Sequence, residues 1–142
     1  NYTEVNYCIT SGSLIKIDIW EKLGKFEEKM FIDYVDLEFC KRVKNNGYKI
    51  IKINNLNLKH EIGKKTYYNF FGKKIFSYNH SAFRKYYITR NTLYYYRKFD
   101  DLNTYIAYMK IIKRILLVIF YEKNKFDKIK GMFKGIYDSF KL

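Results

Sequence analysis

Proline is absent from this 142-residue chain, and cysteine nearly so, with Cys8 and Cys40 the only two. Two thiols cannot build a disulfide framework, and no Cys-x-x-Cys metal spacing occurs. They read as reduced, buried thiols of a cytosolic protein. With no proline to stop a helix, the stops fall to Gly and Asn. No long hydrophobic run exists either. The most apolar segment, 111–121, is uninterrupted only over 115–121, far short of the roughly 20 residues that a spanning helix needs. No basic segment leads into an apolar run and small residues, so no signal peptide is visible. The chain begins at Asn1 rather than Met, and both features read as a fragment of a longer protein. Acids are scarce, 14 against 28 Lys and Arg, for a net charge of +14. That balance implies attraction to polyanions: nucleic acid, anionic lipid or phosphorylated substrates.

Hydrophobic residues make up 48% and aromatics 20%. Disorder requires low hydrophobicity as well as charge, so the chain is expected to fold. The length suits one domain or part of one. Lys, Tyr, Ile and Asn dominate, the bias of an AT-rich genome, so the position of charge says more than its total.

Two textures divide the chain. Residues 4–12 read as a strand ending in a Ser-Gly-Ser turn, and 14–17 as a second short strand. A short helix follows from Asp18, its expected cap, to a stop at Gly24. Residues 33–46 have apolar positions at helical spacing, Leu37, Phe39, Cys40 and Val43. "NNG" at 45–47 is a strong stop, because Asn and Gly accept the left-handed conformation. Strands are expected at 48–53 and at the alternating 55–60. From about His80 the pattern becomes helical and basic, with helices at 81–99, 101–123 and 125–140. Asp100 and Asp101 are the expected caps between the first two. The division is therefore an α/β part at 1–63, a linking loop at 64–79 and a basic helical extension at 80–142. The helix around 111–121 is compatible with a core position and with a membrane interface, apolar face down and lysines on anionic lipid.

The stretch "FIDYVDLEFCKR" at 31–42 concentrates three acids, Asp33, Asp36 and Glu38, in this basic chain. Asp33 and Asp36 stand three apart at a helix start, as in a capping arrangement, where acids also complement the helix dipole. Glu38, four residues before Arg42, reads as a surface ion pair.

The wider order of elements resembles the C-terminal half of the catalytic domain of family 2 glycosyltransferases, most of all the rhamnosyltransferase-like branch. The matching residues are "TSGSLIKIDIWEKLGKFEEKMFIDYVDLEFCKRVKNNGYKI" at 10–50, "LKH" at 58–60 and "RKYYITRN" at 84–91. The resemblance implies the acceptor-side half of a GT-A fold, followed by a helical extension, and an inverting sugar transfer. It implies Asp36 as the base that takes the acceptor's proton, with Asp33 the alternative base or an acceptor contact. The family's Glu-Asp pair is here Val35-Asp36, so the acidic neighbour is lost. A carboxylate suits this task, since a sugar hydroxyl is a weak nucleophile. A diphosphate leaving group needs charge neutralised more than it needs a proton, so no second carboxylate is required.

By the same resemblance His60 holds a divalent cation, Mg²⁺ or Mn²⁺, against the diphosphate, where it acts as a Lewis acid. Read without the resemblance, His60 is a polar residue at a strand end. The family's nucleotide-binding half and its Asp-x-Asp motif have no counterpart here, so most of the metal's ligands and the nucleotide site are expected outside this chain. Thr10, Ser11, Gly12 and Ser13 are expected on the acceptor wall, where small hydroxyl residues let a sugar approach the backbone; an ordinary turn with Gly at a special backbone angle is the alternative. Trp20 reads either as a sugar-stacking ring or as core. Arg84, Arg90 and Asn91 are candidates for the donor's diphosphate, since Arg forks suit phosphate oxygens; a solvated basic face over packed tyrosines is the alternative. The implied partners are a nucleotide-sugar donor, a saccharide or lipid-linked acceptor and an anionic membrane surface, at the inner face of a bacterial plasma membrane. A homodimer through an open strand edge is a further expectation. Nucleic acid is the weaker alternative: Lys and Tyr could pair phosphates and stack bases, yet no recognisable nucleic-acid motif occurs.

Overall fold

The computed structural model describes residues 1–59, 65–70 and 72–142. The chain divides into two compact units, Asn1–Glu61 and Ile62–Leu142. Both strands and helices are present, and the class is mixed α/β.

In the first unit, β1 (Tyr2–Val5) pairs antiparallel with β2 (Ile50–Ile53), Tyr2 opposite Ile53 and Val5 opposite Ile50. Helices α1 (Ile17–Lys22) and α2 (Val35–Asn45) lie between them in sequence, joined by a single 3₁₀ turn at Glu28–Met30. The expected strand at 4–12 is confined to β1. Beyond it, Ser13 N and Oγ both bond to Thr10 O, and Gly12 takes φ 74°, closing the turn. No strand forms at 14–16, and α1 begins with Lys16 in the cap position, so Asp18 lies inside the first turn rather than capping it.

Both expected glycine stops are present. After α1, Gly24 N bonds to Glu21 O and Lys25 N to Trp20 O, with Gly24 at φ 83°. After α2, Gly47 N bonds to Lys44 O and Tyr48 N to Val43 O, with Gly47 at φ 77°. Each is a Schellman motif, which needs a left-handed residue just past the helix. The expected strand at 55–60 is not found among its described residues, where Leu56 and Leu58 alternate but stay exposed.

In the second unit, residues expected to be a loop form a hairpin, β3 (Thr66–Phe70) with β4 (Lys73–Ser77). Its Thr, Tyr, Ile and Phe favour a pleated surface, and the opposed Tyr67 and Phe76 rings stand 6.2 Å apart. Helices α3 (Ala82–Lys98), α4 (Thr104–Tyr121) and α5 (Lys125–Asp138) follow, ending in a 3₁₀ turn at Ser139–Lys141. Ser81 Oγ caps α3 by accepting from Arg84 N, and Asn103 Oδ1 caps α4 by accepting from Tyr105 N. The α4 cap is thus Asn103; Asp100 and Asp101 lie in the preceding turn. Leu93, Ala107, Ile111, Val118 and Met132 form the core of this unit.

The closest helix contact is α3 with α5, and two glycines permit it. A Cβ on Gly131 would stand 2.8 Å from Ala82 O, and one on Gly135 2.6 Å from Tyr86 O. Both obstacles are backbone, so neither can turn aside. The Gly-x-x-x-Gly spacing places both glycines on one face of α5. Gly135→Ala is expected to force the helices apart and cost on the order of 1–3 kcal/mol, as overpacking does. A urea unfolding midpoint equal to the native one would show that α5 has room to spare.

Candidate functional site

Asp36, Phe39, Cys40 and Val43 occupy i, i+3, i+4 and i+7 of α2, and the last three are buried. Asp36 therefore stands at the N-terminal end of the core-facing stripe, not on the solvent face. Its Oδ1 accepts from Leu37 N at 2.9 Å. Its Oδ2 accepts no hydrogen bond among the described residues. The carboxylate is thus oriented by the helix start while one oxygen stays open.

The backbone just before it is strained. Phe31, Asp33 and Tyr34 have φ 59°, 62° and 70°, a region that Asp enters more readily but that is costly for the bulky Phe31 and Tyr34. Tyr34 holds the cap position of α2 in the left-handed conformation and makes no side-chain cap. The cap position expected for Asp33 thus belongs to Tyr34, and Asp33 sits one residue earlier, half-buried. Such strain persists where the surroundings over-determine it, and it clusters at functional sites. Here the surroundings are firm: Met30, on one side, is fully buried, and α2 follows on the other.

Glu38 and Arg42 pair as expected, but not on the surface. Glu38 is fully buried and receives Arg42 Nε at 2.6 Å and Nη2 at 2.7 Å, a bidentate pair. Arg42 Nη2 also donates to Lys25 O at 2.5 Å, and Nη1 to Leu23 O. The guanidinium therefore pins the C-terminal end of α1 to α2. Charge-assisted, two-pronged bonds are the stronger kind, so this pair fixes the Trp20 region against the helix of Asp36.

Thr10, Ser13, Ile15, Ile17, Trp20 and Phe26 line an open cleft of about 340 Å³. Three of the expected acceptor residues, Thr10, Ser13 and Trp20, thus share one cleft. Ser11 and Gly12 lie beside it on the exposed turn, where a Cβ on Gly12 would meet Leu58 Cδ2 at 2.9 Å. The Trp20 ring packs edge-on to Phe26 at 6.1 Å, and Phe26 likewise to Phe39 at 5.0 Å. Trp20 is therefore a wall of the cleft continuous with the core. Its Nε1 is buried and has no hydrogen-bond partner among the described residues, and an unmet buried donor costs free energy.

Cys8 and Cys40, which sequence spacing does not relate, meet with their sulfurs 3.8 Å apart. Burial, then the neighbouring Cys40 and the carboxylate of Asp36, push the Cys8 thiol up from 9.0 to about 11. With the folded value above the unfolded one, this thiol's contribution to stability is whole below about pH 9 and is lost as pH rises through about 11. Alkylation of Cys8 at pH 8 is expected to run on the order of a hundredfold slower than that of a free thiol. Labelling kinetics read by mass spectrometry check this, and a rate equal to that in urea would refute it.

The residues expected to meet a diphosphate behave differently from one another. Arg84 is half-buried in the first turn of α3. Arg90 is buried against the rings of Tyr86 and Tyr87, and its Nε donates to Oδ1 of the fully buried Asn91 at 3.0 Å. Arg90 and Asn91 therefore present little surface to a ligand in this arrangement and act as packing for α3. His60 lies outside the described residues. Among the described residues no three of His, Cys, Asp or Glu gather at metal-binding distance.

A buried charge cluster in the second unit escaped sequence reasoning. Glu122 Oε1 accepts from Lys85 Nζ at 2.6 Å and from Ser77 Oγ at 2.5 Å, and Oε2 from Lys128 Nζ at 3.0 Å. Lys128 Nζ also donates to Asn79 Oδ1 at 2.6 Å. The one available signal was Glu122 itself, the lone acid of 102–126.

The chain is similar to dTDP-rhamnosyl transferase RfbF of Shigella flexneri, 31% identical over 128 residues, which take in 86% of this chain and 41% of that protein. It thus spans about two fifths of that relative's length. No family model matches the chain, and no solved structure matches it.

Proposed function

We propose that this chain is the acceptor-side part of an inverting, family 2 glycosyltransferase of GT-A fold. The reaction moves a sugar from a nucleoside-diphosphate donor to a saccharide or lipid-linked acceptor in surface polysaccharide synthesis, at the inner face of the bacterial plasma membrane. The observation that carries this reading is the similarity to a protein named for rhamnosyl transfer, and rhamnose is accordingly the first sugar to test.

Asp36 is the general base. What supports it is its oriented carboxylate with one open oxygen, directly after a strained turn. The acceptor hydroxyl gives its proton to Asp36 as its oxygen bonds to the anomeric carbon. The bond from that carbon to the diphosphate breaks, and the nucleoside diphosphate leaves with the electron pair from the opposite face. One displacement inverts the anomeric centre. Positioned proton transfer of this kind contributes roughly 10²–10⁴-fold. The cleft between the 10–13 turn and Trp20 supplies hydroxyls and a ring at the acceptor side.

The test is product stereochemistry. The protein carrying this chain is incubated with a dTDP-sugar and candidate acceptors, and the new linkage is read by NMR. Inversion relative to the donor is expected; retention would require a second nucleophile and remove the single-base mechanism.

A further inference from the structure

The charge of the chain is not spread evenly. Of the 28 Lys and Arg, 18 lie in 62–142, with 5 of the 14 acids, a net of +13; residues 1–61 carry 10 and 9, a net of +1. Almost the whole positive charge belongs to the helical unit.

That unit also leaves apolar surface uncovered. Helix α4 buries Ala107, Ile111 and Val118. On the far side Tyr105, Met109, Ile112, Leu116, Ile119 and Phe120 are exposed, Phe120 at 65%. They recur at i, i+4, i+7, i+11 and i+14/15, so they form one stripe along the full helix. At 1.5 Å per residue, the stripe from Tyr105 to Phe120 is about 23 Å long. Lys110, Lys113 and Lys123 stand along its edge and beyond its end, and α4 contains no acid. Helix α5 repeats the theme: Phe126, Phe133 and Tyr137 lie in one exposed row, Phe126 at 79%, with Lys130 and Lys134 beside it. Among the described residues no helix is long and apolar enough to cross a membrane.

We infer that the exposed faces of α4 and α5 dock on an anionic lipid bilayer, lying in its interface. Charge selects this occupant. A second copy would bring one +13 unit against another along stripes edged mainly by lysine, Asp127 and Asp138 being the acids of α5 and α4 having none. A nucleic acid would satisfy the lysines but leave the apolar stripe in water. An anionic bilayer offers negative headgroups above hydrocarbon, the same order as lysine edge and apolar face. The inference rests on the unit at 62–142 alone and does not depend on Asp36 or on sugar transfer. It adds the surface by which such a protein reaches a lipid-linked acceptor.

Sedimentation with vesicles tests it. The protein is expected to sediment with phosphatidylglycerol–phosphatidylethanolamine vesicles, to release as salt rises, and to stay in solution with phosphatidylcholine. Ile112→Glu with Leu116→Glu, both on the exposed face, is expected to abolish binding with an unchanged circular dichroism spectrum. Lys110→Gln with Lys113→Gln is expected to weaken binding on the order of 25-fold, about fivefold for each lysine near the surface. Several outcomes would overturn the inference. These are no sedimentation, equal binding to neutral vesicles, or native binding by either double variant. A dimer in analytical ultracentrifugation that Ile112→Glu with Leu116→Glu dissociates would reassign the face to a second copy. Salt-sensitive binding to random oligonucleotides without vesicle binding would reassign it to nucleic acid.

Discussion

Glu122→Leu is expected to destabilise the helical unit by about 3–5 kcal/mol, the usual cost of removing one partner from a buried ion cluster. The carboxylate is the only acid between Lys85 and Lys128 in the described contacts, and both lysines are buried. Without it, two ammonium groups are held together away from water. Ser77 loses its acceptor as well, which loosens the hairpin end from the helices. Replacing all three, with Lys85→Met and Lys128→Met added, is expected to recover most of the loss, because an apolar trio of similar volume needs no partner. Urea unfolding followed at the helix signal checks both variants. A native midpoint for Glu122→Leu alone would mean that the lysines reach water.

The same cluster sets an acid limit. Burial pushes the Glu122 carboxyl up, but the donors from Lys85, Ser77 and Lys128 outweigh it and hold it below its ordinary 4.5. A depressed folded value means that the contribution is whole above about pH 4.5 and is lost as pH falls through the folded value.

Local structure is legible in the sequence where a single residue type decides the backbone. Gly24 and Gly47 end helices because the residue after the last turn must be left-handed. Phe39, Cys40 and Val43 repeat at helical spacing and are buried. Contact at long sequence separation is what the sequence hides. Glu122 meets Lys85 across 37 residues and Cys8 meets Cys40 across 32. Nothing in either neighbourhood announces the partner. The alternation at 55–60 misled for the converse reason: period two makes a strand only when another strand pairs with it. The 66–77 hairpin was hidden by its lysines, although its Tyr, Thr, Phe and Ile carried the signal. Within the candidate site, Ser13 and Trp20 do share a cleft, while Arg90 and Asn91 turn inward. The buried Glu38–Arg42 fork shows how i and i+4 charges, usually solvated, become a fastener when a carbonyl-rich helix end lies beside them.

Asp36→Asn is expected to lower glycosyl transfer by roughly 10²–10⁴-fold, because the amide keeps the shape of the side chain but cannot take the acceptor's proton. An Asn oxygen can still accept from Leu37 N, so the helix start is kept and the fold is expected to survive. Asp33→Asn separates the alternatives. Asp33 sits in the strained turn rather than on α2, and its substitution is expected to act on acceptor KM more than on kcat. The most direct test compares nucleoside diphosphate release, in the presence of acceptor, by the protein carrying this chain as native, Asp36→Asn and Asp33→Asn. Loss of kcat confined to Asp36→Asn, with an unchanged urea midpoint, is the expected result. Native turnover by Asp36→Asn, or a loss of kcat confined to Asp33→Asn, would contradict the assignment of Asp36 as the base.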